Sequence, residues 1–347
     1  MRAGKKTGVW HLRLWRNDQM KRAGRYYFVV SLMFIGLTMF SQDYSFFQSY
    51  YFKPFIINPA ITGLQLYPVV DISARKQWVG IENAPATFQL SGDYRIGQYD
   101  FYDPKGLLNK GPLKITDRIG IGAAFYRDTE GPSNQTGGLL SYAYHITINS
   151  QASFSFGLAI TATSYSFNSS LLEPGLLNDP YLLSGYDSRF RVNFNIGGYW
   201  YTDQYFIGLS MDKILPDIYQ VIDAPGFQPR IFAMGGYKFM HHSSDFNVEP
   251  SIIVKKAIYK DLAADINLKL YIKRFNWLAI SYTTHGNVGF QFGLRLYKMI
   301  YTGYHYEYTI GDIGRVSFGS HEIHLGMNLG LTWVKEDQEN ISYLQIY

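Results

Sequence analysis

The chain has 347 residues and carries 30 Tyr, 24 Phe and 6 Trp, yet only 17% of it is charged, against about 25% in an average soluble domain. The net charge of +5 is modest, and no long basic run follows residue 25, which excludes a nucleic-acid footprint. Cysteine is absent, which excludes disulfides, a thiolate metal site and a cysteine nucleophile.

At the N-terminus, Lys21, Arg22 and Arg25 precede the apolar run YYFVVSLMFIGLTMF (26–40), which Ser41 and Gln42 follow. A basic stretch, a short apolar core and a small residue at the exit describe a secretory signal peptide over 1–41, with Met20 as the true start and cleavage before Gln42. The run is short for a spanning helix, and no other apolar run of that length follows. Residues 42–68 form a separate segment ahead of the repeating pattern, and residues 334–347 form a tail after it.

From residue 69 the dominant period is two rather than 3.6. In DINLKLYI (265–272), Ile266, Leu268, Leu270 and Ile272 share one face, and Asp265, Asn267, Lys269 and Tyr271 share the other. In EIHLGMNLGLTW (322–333), Ile323, Leu325, Met327, Leu329, Leu331 and Trp333 oppose Glu322, His324, Gly326, Asn328, Gly330 and Thr332. Such segments predict about fourteen strands, near 69–78, 86–95, 118–127, 137–147, 152–167, 189–200, 205–213, 230–239, 247–256, 264–272, 277–284, 288–297, 299–309 and 322–333. An all-β chain with this pattern forms a sandwich, a propeller or a barrel. Strands of eight to twelve residues favour a tilted membrane strand over the shorter strands of a sandwich. The expected fold is therefore an all-β outer-membrane barrel of about fourteen antiparallel strands over 69–333, monomeric and surrounded by outer-membrane lipid, with both termini periplasmic.

The connections test this. With both termini at one end, the turns after even strands should be short, and 148–151, 201–204, 240–246, 273–276 and the break near 298 are. The connections 168–188, 214–229 and 310–321 follow odd strands and are longer. The exception is 96–117, a long even-side connection.

No catalytic constellation emerges. His241 and His242 with Asp245 offer metal-ligand chemistry, but adjacent strand residues point in opposite directions. DTEGP (128–132) is acidic but lacks regularly spaced oxygen ligands for calcium. Neither a metal nor a cofactor is expected. His305 and Glu307 lie on the inward face of their strand, as do Glu322 and His324 on the next. That is either a lumenal polar network, with Arg75, or a proton-active site. In RKQWVGIENAPATF (75–88), parity predicts Arg75 and Gln77 inward, Lys76 and Trp78 outward, and Trp78 at the height of an aromatic belt. Pro85 precedes the second strand, where a missing N–H is tolerated. If the barrel closes, Arg75 should face Glu322.

Two stretches resemble a known family. QDYSFFQSYYFKPFIINPAITG (42–63) carries Pro54, Asn58, Pro59, Ala60 and Gly63 in a Pro-x-x-x-Asn-Pro-Ala-x-x-Gly pattern, although Phe47-Gln48-Ser49-Tyr50 departs from the commoner Phe-Ser-Gln-Tyr. RKQWVGIENAPATF carries Arg75, Gln77, Trp78, Gly80, Ala84, Pro85 and Thr87, and GSHEI (319–323) adds Gly319, His321 and Glu322. Together they look like the PorP/SprF family of outer-membrane proteins. The resemblance implies a component of the Bacteroidota type IX secretion and gliding-motility machinery. It implies docking or anchoring of a large secreted substrate, such as an adhesin's C-terminal domain, or linkage to periplasmic secretion components within a larger complex. These motif residues become candidates for partner docking. A transport channel for small or hydrophobic solutes is the rival reading; an outer-membrane enzyme is weakly supported.

Overall fold

A computed structural model describes residues 49–65, 68–96, 118–149, 152–168, 188–215, 229–239, 246–257, 262–272, 276–284, 286–297 and 299–329. Of the two units into which the chain divides, 1–41 and 42–347, the first, over which a signal peptide is expected, thus lies outside the described residues. So do His241, His242, Asp245, the connection 97–117 and the tail.

The described residues form fourteen strands: β1 (Val69–Lys76), β2 (Ala86–Ile96), β3 (Ile119–Glu130), β4 (Ser133–Thr147), β5 (Ala152–Phe167), β6 (Ser188–Thr202), β7 (Tyr205–Asp212), β8 (Arg230–Tyr237), β9 (Phe246–Ala257), β10 (Ala263–Ile272), β11 (Asn276–Thr283), β12 (Asn287–Arg295), β13 (Ile300–Thr309) and β14 (Ser320–Asn328). Each pairs antiparallel with its sequence neighbours, and β1 pairs with β14 to close the barrel. No described helix is long and apolar enough to cross a membrane. A short helix, α1 (Asp312–Val316), sits in the β13–β14 connection.

The period of two becomes two faces of opposite chemistry. Along β1 the exposure alternates strictly, with Asp71, Ser73 and Arg75 buried and Val70, Ile72 and Ala74 outward. Leu140 is 68% exposed, Ile207 62% and Ile323 58%. A continuous belt of exposed aliphatic side chains suits lipid rather than water.

Several strand boundaries differ from expectation. β3 and β4 extend towards one another until only Gly131 and Pro132 separate them. Asp128, Thr129 and Glu130 are therefore strand residues, and Gly131 supplies the positive φ, 55°, that so tight a turn requires. The last strand stops at Asn328, where the Leu329 N–H donates to the Pro68 carbonyl at 2.9 Å; Leu331 and Trp333 lie outside the described residues.

The barrel's interior is filled by its own N-terminal segment. Residues 49–65 carry three 3-10 helices, Ser49–Tyr51, Pro54–Ile56 and Pro59–Ile61. Pro54 and Pro59 stand at first helical positions, where a missing N–H costs nothing. Phe55, Ile56, Ile57, Ile61 and Leu64 pack with Ala124, Leu139, Ala159, Tyr199, Phe232 and Met234 of the wall. Each fully buried side chain of this size contributes about 1.5–3 kcal/mol relative to exposure. The wall is cleared for them: Gly120, Gly157, Gly197 and Gly208 face inward on four strands, and a Cβ on any would collide with Asn58, Pro59, Ala60 or Thr62.

Candidate functional site

The motif at 54–63 is the architecture of the plug. Asn58 caps the third 3-10 helix, its Oδ1 accepting from the Ala60 N–H at 3.0 Å. Its Nδ2 donates to the Gly198 carbonyl at 3.3 Å, tying the plug to β6. Pro59 begins the helix behind the cap, and Ala60, fully buried, meets the wall at Gly157, where no larger side chain fits. Gly63 turns with φ 69°, and a Cβ there would stand 2.7 Å from the Gly120 Cα. The plug's main chain is also gripped by wall side chains. Ser155 Oγ donates to Ala60 O at 2.6 Å, Ser210 Oγ to Ile57 O at 2.6 Å, and the Gly63 N–H donates to Asp93 Oδ2 at 2.9 Å. At its far end Tyr50 donates to Asp265, which also pairs with Lys255 at 2.5 Å.

From the plug a chain of charges climbs the inward face of β1, β13 and β14. Lys53 Nζ donates to the Tyr301 hydroxyl at 3.1 Å, and that hydroxyl donates to Asp71 Oδ2 at 3.2 Å. His324 sits between two carboxylates, Nδ1 3.2 Å from Asp71 Oδ1 and Nε2 2.8 Å from Glu322 Oε1, with the Phe52 ring stacked on it at 3.7 Å. The register places Arg75 opposite Glu322. Its guanidinium lies 3.8 Å from Glu322 Oε2 and 3.2 Å from Glu307 Oε1. His305 Nδ1 is also 3.8 Å from Glu322 Oε2. The structure thus brings Arg75, His305, Glu307, Glu322 and His324 into one buried cluster and adds Asp71, Tyr301 and Lys53, which the sequence reading had not included. Every charge in it faces an opposite charge or a hydroxyl, as burial requires. Among the described residues no group of three or more His, Cys, Asp or Glu is disposed to hold a metal ion.

The rim residues form a second assembly. The loop 77–85 closes through Gln77 N–H to Pro85 O at 2.9 Å, with Ala84 and Pro85 buried beneath it. Two backbone bonds clip it to the β13–β14 connection: Val79 N–H to Gly319 O at 2.8 Å, and Phe318 N–H to Val79 O at 2.7 Å. Gly80 and Gly319 have φ of 101° and 85°; at Gly80 a Cβ would press on the Phe318 ring at 3.0 Å. Thr87 Oγ1 donates to Asp128 Oδ1 at 2.5 Å, joining β2 to β3. His321 faces outward, its Nδ1 2.6 Å from the Tyr304 hydroxyl.

Trp78 is not where parity puts it. β1 ends at Lys76, so the alternation does not reach position 78, which adopts φ 42°. Its backbone N–H donates to Ser320 Oγ and its indole N–H to Thr309 Oγ1, both at 3.3 Å. The indole therefore turns back over the rim instead of joining an outward aromatic belt. Beside this clip the apolar side chains of Val316 and Phe318 stand 68% and 75% exposed. Five residues of α1 are too few to show a helical period, so this surface was not visible in the sequence.

Comparison with solved structures gives low-identity barrels. Omp33 of Acinetobacter baumannii is 8% identical, with a TM-score of 0.43 over 76% of this chain and 97% of that one. The CymD monoaromatic hydrocarbon channel is 12% identical, with a TM-score of 0.46 over 79% and 91%. The KdgM porin is 10% identical, with a TM-score of 0.34 over 75% and 98%. At such identities and scores the likeness carries no functional argument. No curated protein matches the chain. A family model described as type IX secretion system membrane protein PorP/SprF matches residues 39–327. Over that span lie both the Asn-Pro-Ala plug and the clipped rim, and the chain belongs to the PorP/SprF family of type IX secretion system membrane proteins.

Proposed function

We propose that this chain is a plugged, non-catalytic outer-membrane barrel that docks partners of the type IX secretion system. In this reading a signal peptide over 1–41 exports it, and the end carrying the short turns and both termini faces the periplasm. The long-connection rim then faces the exterior and docks a secreted substrate, such as an adhesin's C-terminal domain. The opposite end links to periplasmic secretion components.

The observation that carries the reading is the occupied lumen. Residues 49–65 fill it, and Asn58 and Thr62 have no exposed surface, so work falls to the outer surfaces rather than to passage through the barrel. Asn58, Pro59 and Gly63 then serve by holding the plug. Trp78, Gly80, Ala84, Pro85, Gly319 and His321 serve by shaping the rim beside Val316 and Phe318. Purification from the native membrane should recover a large secreted protein or a periplasmic lipoprotein in stoichiometric amount. The Phe318→Asp variant should fold normally and recover less of the secreted protein. A barrel recovered alone, with measurable bilayer conductance, would overturn the reading in favour of solute transport.

A further inference from the structure

A charged side chain on the outward face of a membrane barrel is costly at mid-depth and tolerated near the interfaces. Among the described residues, Lys76, Arg127 and Lys256 are the charged side chains at outward strand positions, and each is exposed. All three are cations. All three stand near the end that carries the loop 77–85: Lys76 ends β1, Arg127 is three residues from the end of β3, and Lys256 is one from the end of β9. Outward residues near the opposite end are aromatic instead, among them Tyr205, Tyr237 and Phe246.

The register brings two of these cations onto one shelf. Arg127 pairs with Phe88, Phe88 with Ala74 and Ala74 with Ile323, so these four form an outward row across β3, β2, β1 and β14. Lys76 stands one outward position further along β1, opposite His321. At about 4.8 Å per strand, Arg127 and Lys76 are separated by about 10 Å across β2. One outward position towards mid-barrel, the next row is apolar throughout: Phe125, Leu90, Ile72 and Leu325, between 41% and 52% exposed. Arg127 has no hydrogen-bond or ion-pair partner among the described residues. Lys76 donates to the Ala84 carbonyl at 2.6 Å, which holds its ammonium at rim height and leaves it two further donors. Nearby groups do not compete for these cations. Glu130 shares the inward parity of Asp128, Glu82 sits in the loop, and His321 is taken by the Tyr304 hydroxyl and the Phe318 carbonyl.

We propose that this shelf binds a phosphorylated glycolipid of the lipid A class, its phosphates meeting Lys76 and Arg127 and its acyl chains lying along Phe88, Leu90, Ile72 and Ile323. Arginine and lysine are the side chains suited to phosphate. The apolar rows run across four strands, about 14 Å, a width that fits a lipid of several chains better than one of two. The assignment rests on the orientation proposed above, because a lipid of this class meets the rim only where the rim faces the exterior. It needs no secretion partner.

The test mixes the full barrel in detergent micelles with diphosphoryl lipid A and counts bound lipid by native mass spectrometry. Saturable binding is expected, with the dephosphorylated glycolipid and phosphatidylglycerol each binding far more weakly. Lys76→Gln and Arg127→Gln should each weaken lipid A by about fivefold, the loss expected of one surface cation, whereas Arg127→Lys retains it. Lys256→Gln, six strands round the wall from both β1 and β3, should have no effect. Phosphatidylglycerol binding as tightly as lipid A, an equal loss in Lys256→Gln, or unchanged affinity in a folded Arg127→Gln barrel would overturn the proposal. Should that variant fail to fold, the comparison of the three lipids on the unaltered barrel still decides. Because the chain has no cysteine, Glu82→Cys treated with a membrane-impermeant maleimide on intact cells reports the orientation separately. Labelling without lipid A binding overturns the glycolipid site alone; absence of labelling overturns the orientation and the lipid assigned with it.

Discussion

Replacing Asn58 with alanine tests whether the plug is held by its cap. The substitution removes the acceptor of the Ala60 N–H at 3.0 Å and the donor to Gly198 O at 3.3 Å. Loss of a capping acceptor costs about 1 kcal/mol, and the second bond in a buried site about another 1 kcal/mol. The sum, about 2 kcal/mol, raises the ratio of unseated to seated plug by roughly 30-fold. The ladder of fourteen strands does not use Asn58, so the far-UV circular dichroism of the barrel should not change. Two assays report the plug directly: opening events in a planar bilayer, and protease cleavage within residues 49–65 of the folded barrel. Both should increase in Asn58→Ala. Asn58→Ser, an uncharged residue that can keep a capping acceptor but lacks the amide donor to Gly198, should fall between it and the parent. Conductance and cleavage equal to the parent's, with the alanine variant folded, would refute the claim that this side chain seats the plug.

Three further outcomes follow from the same geometry. Gly157→Val puts side-chain atoms where Pro59 and Ala60 lie, so the plug should fail to seat and bilayer conductance should exceed that of Asn58→Ala; a closed barrel would argue against a fixed plug. Arg75→Ala leaves Glu307 buried without its cation and Glu322 with only its histidine neighbours, a loss of about 3–5 kcal/mol to be read from urea unfolding in micelles. Exchanging Arg75, Glu307 and Glu322 together for Met, Gln and Gln should restore most of it. Gly319→Ala forces a Cβ onto a residue at φ 85° and to within 2.7 Å of the Tyr306 ring, at about 1–2 kcal/mol. Because Gly319 O accepts the Val79 N–H, protease cleavage in 77–85 should rise while the barrel's melting temperature falls only slightly.

The wall of this barrel was legible because lipid on one side and a filled lumen on the other impose a strict period of two. Asp265 and Asn267 inward with Ile266 and Leu268 outward are the same residues that the alternation assigns. What the alternation could not say is what occupies the lumen, because an inward glycine reads the same beside water as beside a plug. The signal was present in a different form. Glycine at inward positions on β3, β5, β6 and β7 is excessive for a polar lining, and 50–64 is an apolar stretch with no strand period and no other interior to enter. Those two features are complementary in volume, since each wall glycine meets a plug residue. The Trp78 error has the opposite origin. Parity holds only while the ladder does, and a residue two positions past the last paired strand residue obeys its turn, its φ of 42° and its bond to Thr309 instead. The same motif segments that identify the family thus perform two structural tasks, sealing the lumen and fixing the rim. A lumen occupied from within and a rim clipped at one edge are what the docking proposal rests on, and the conductance of Asn58→Ala is the measurement on which that proposal turns.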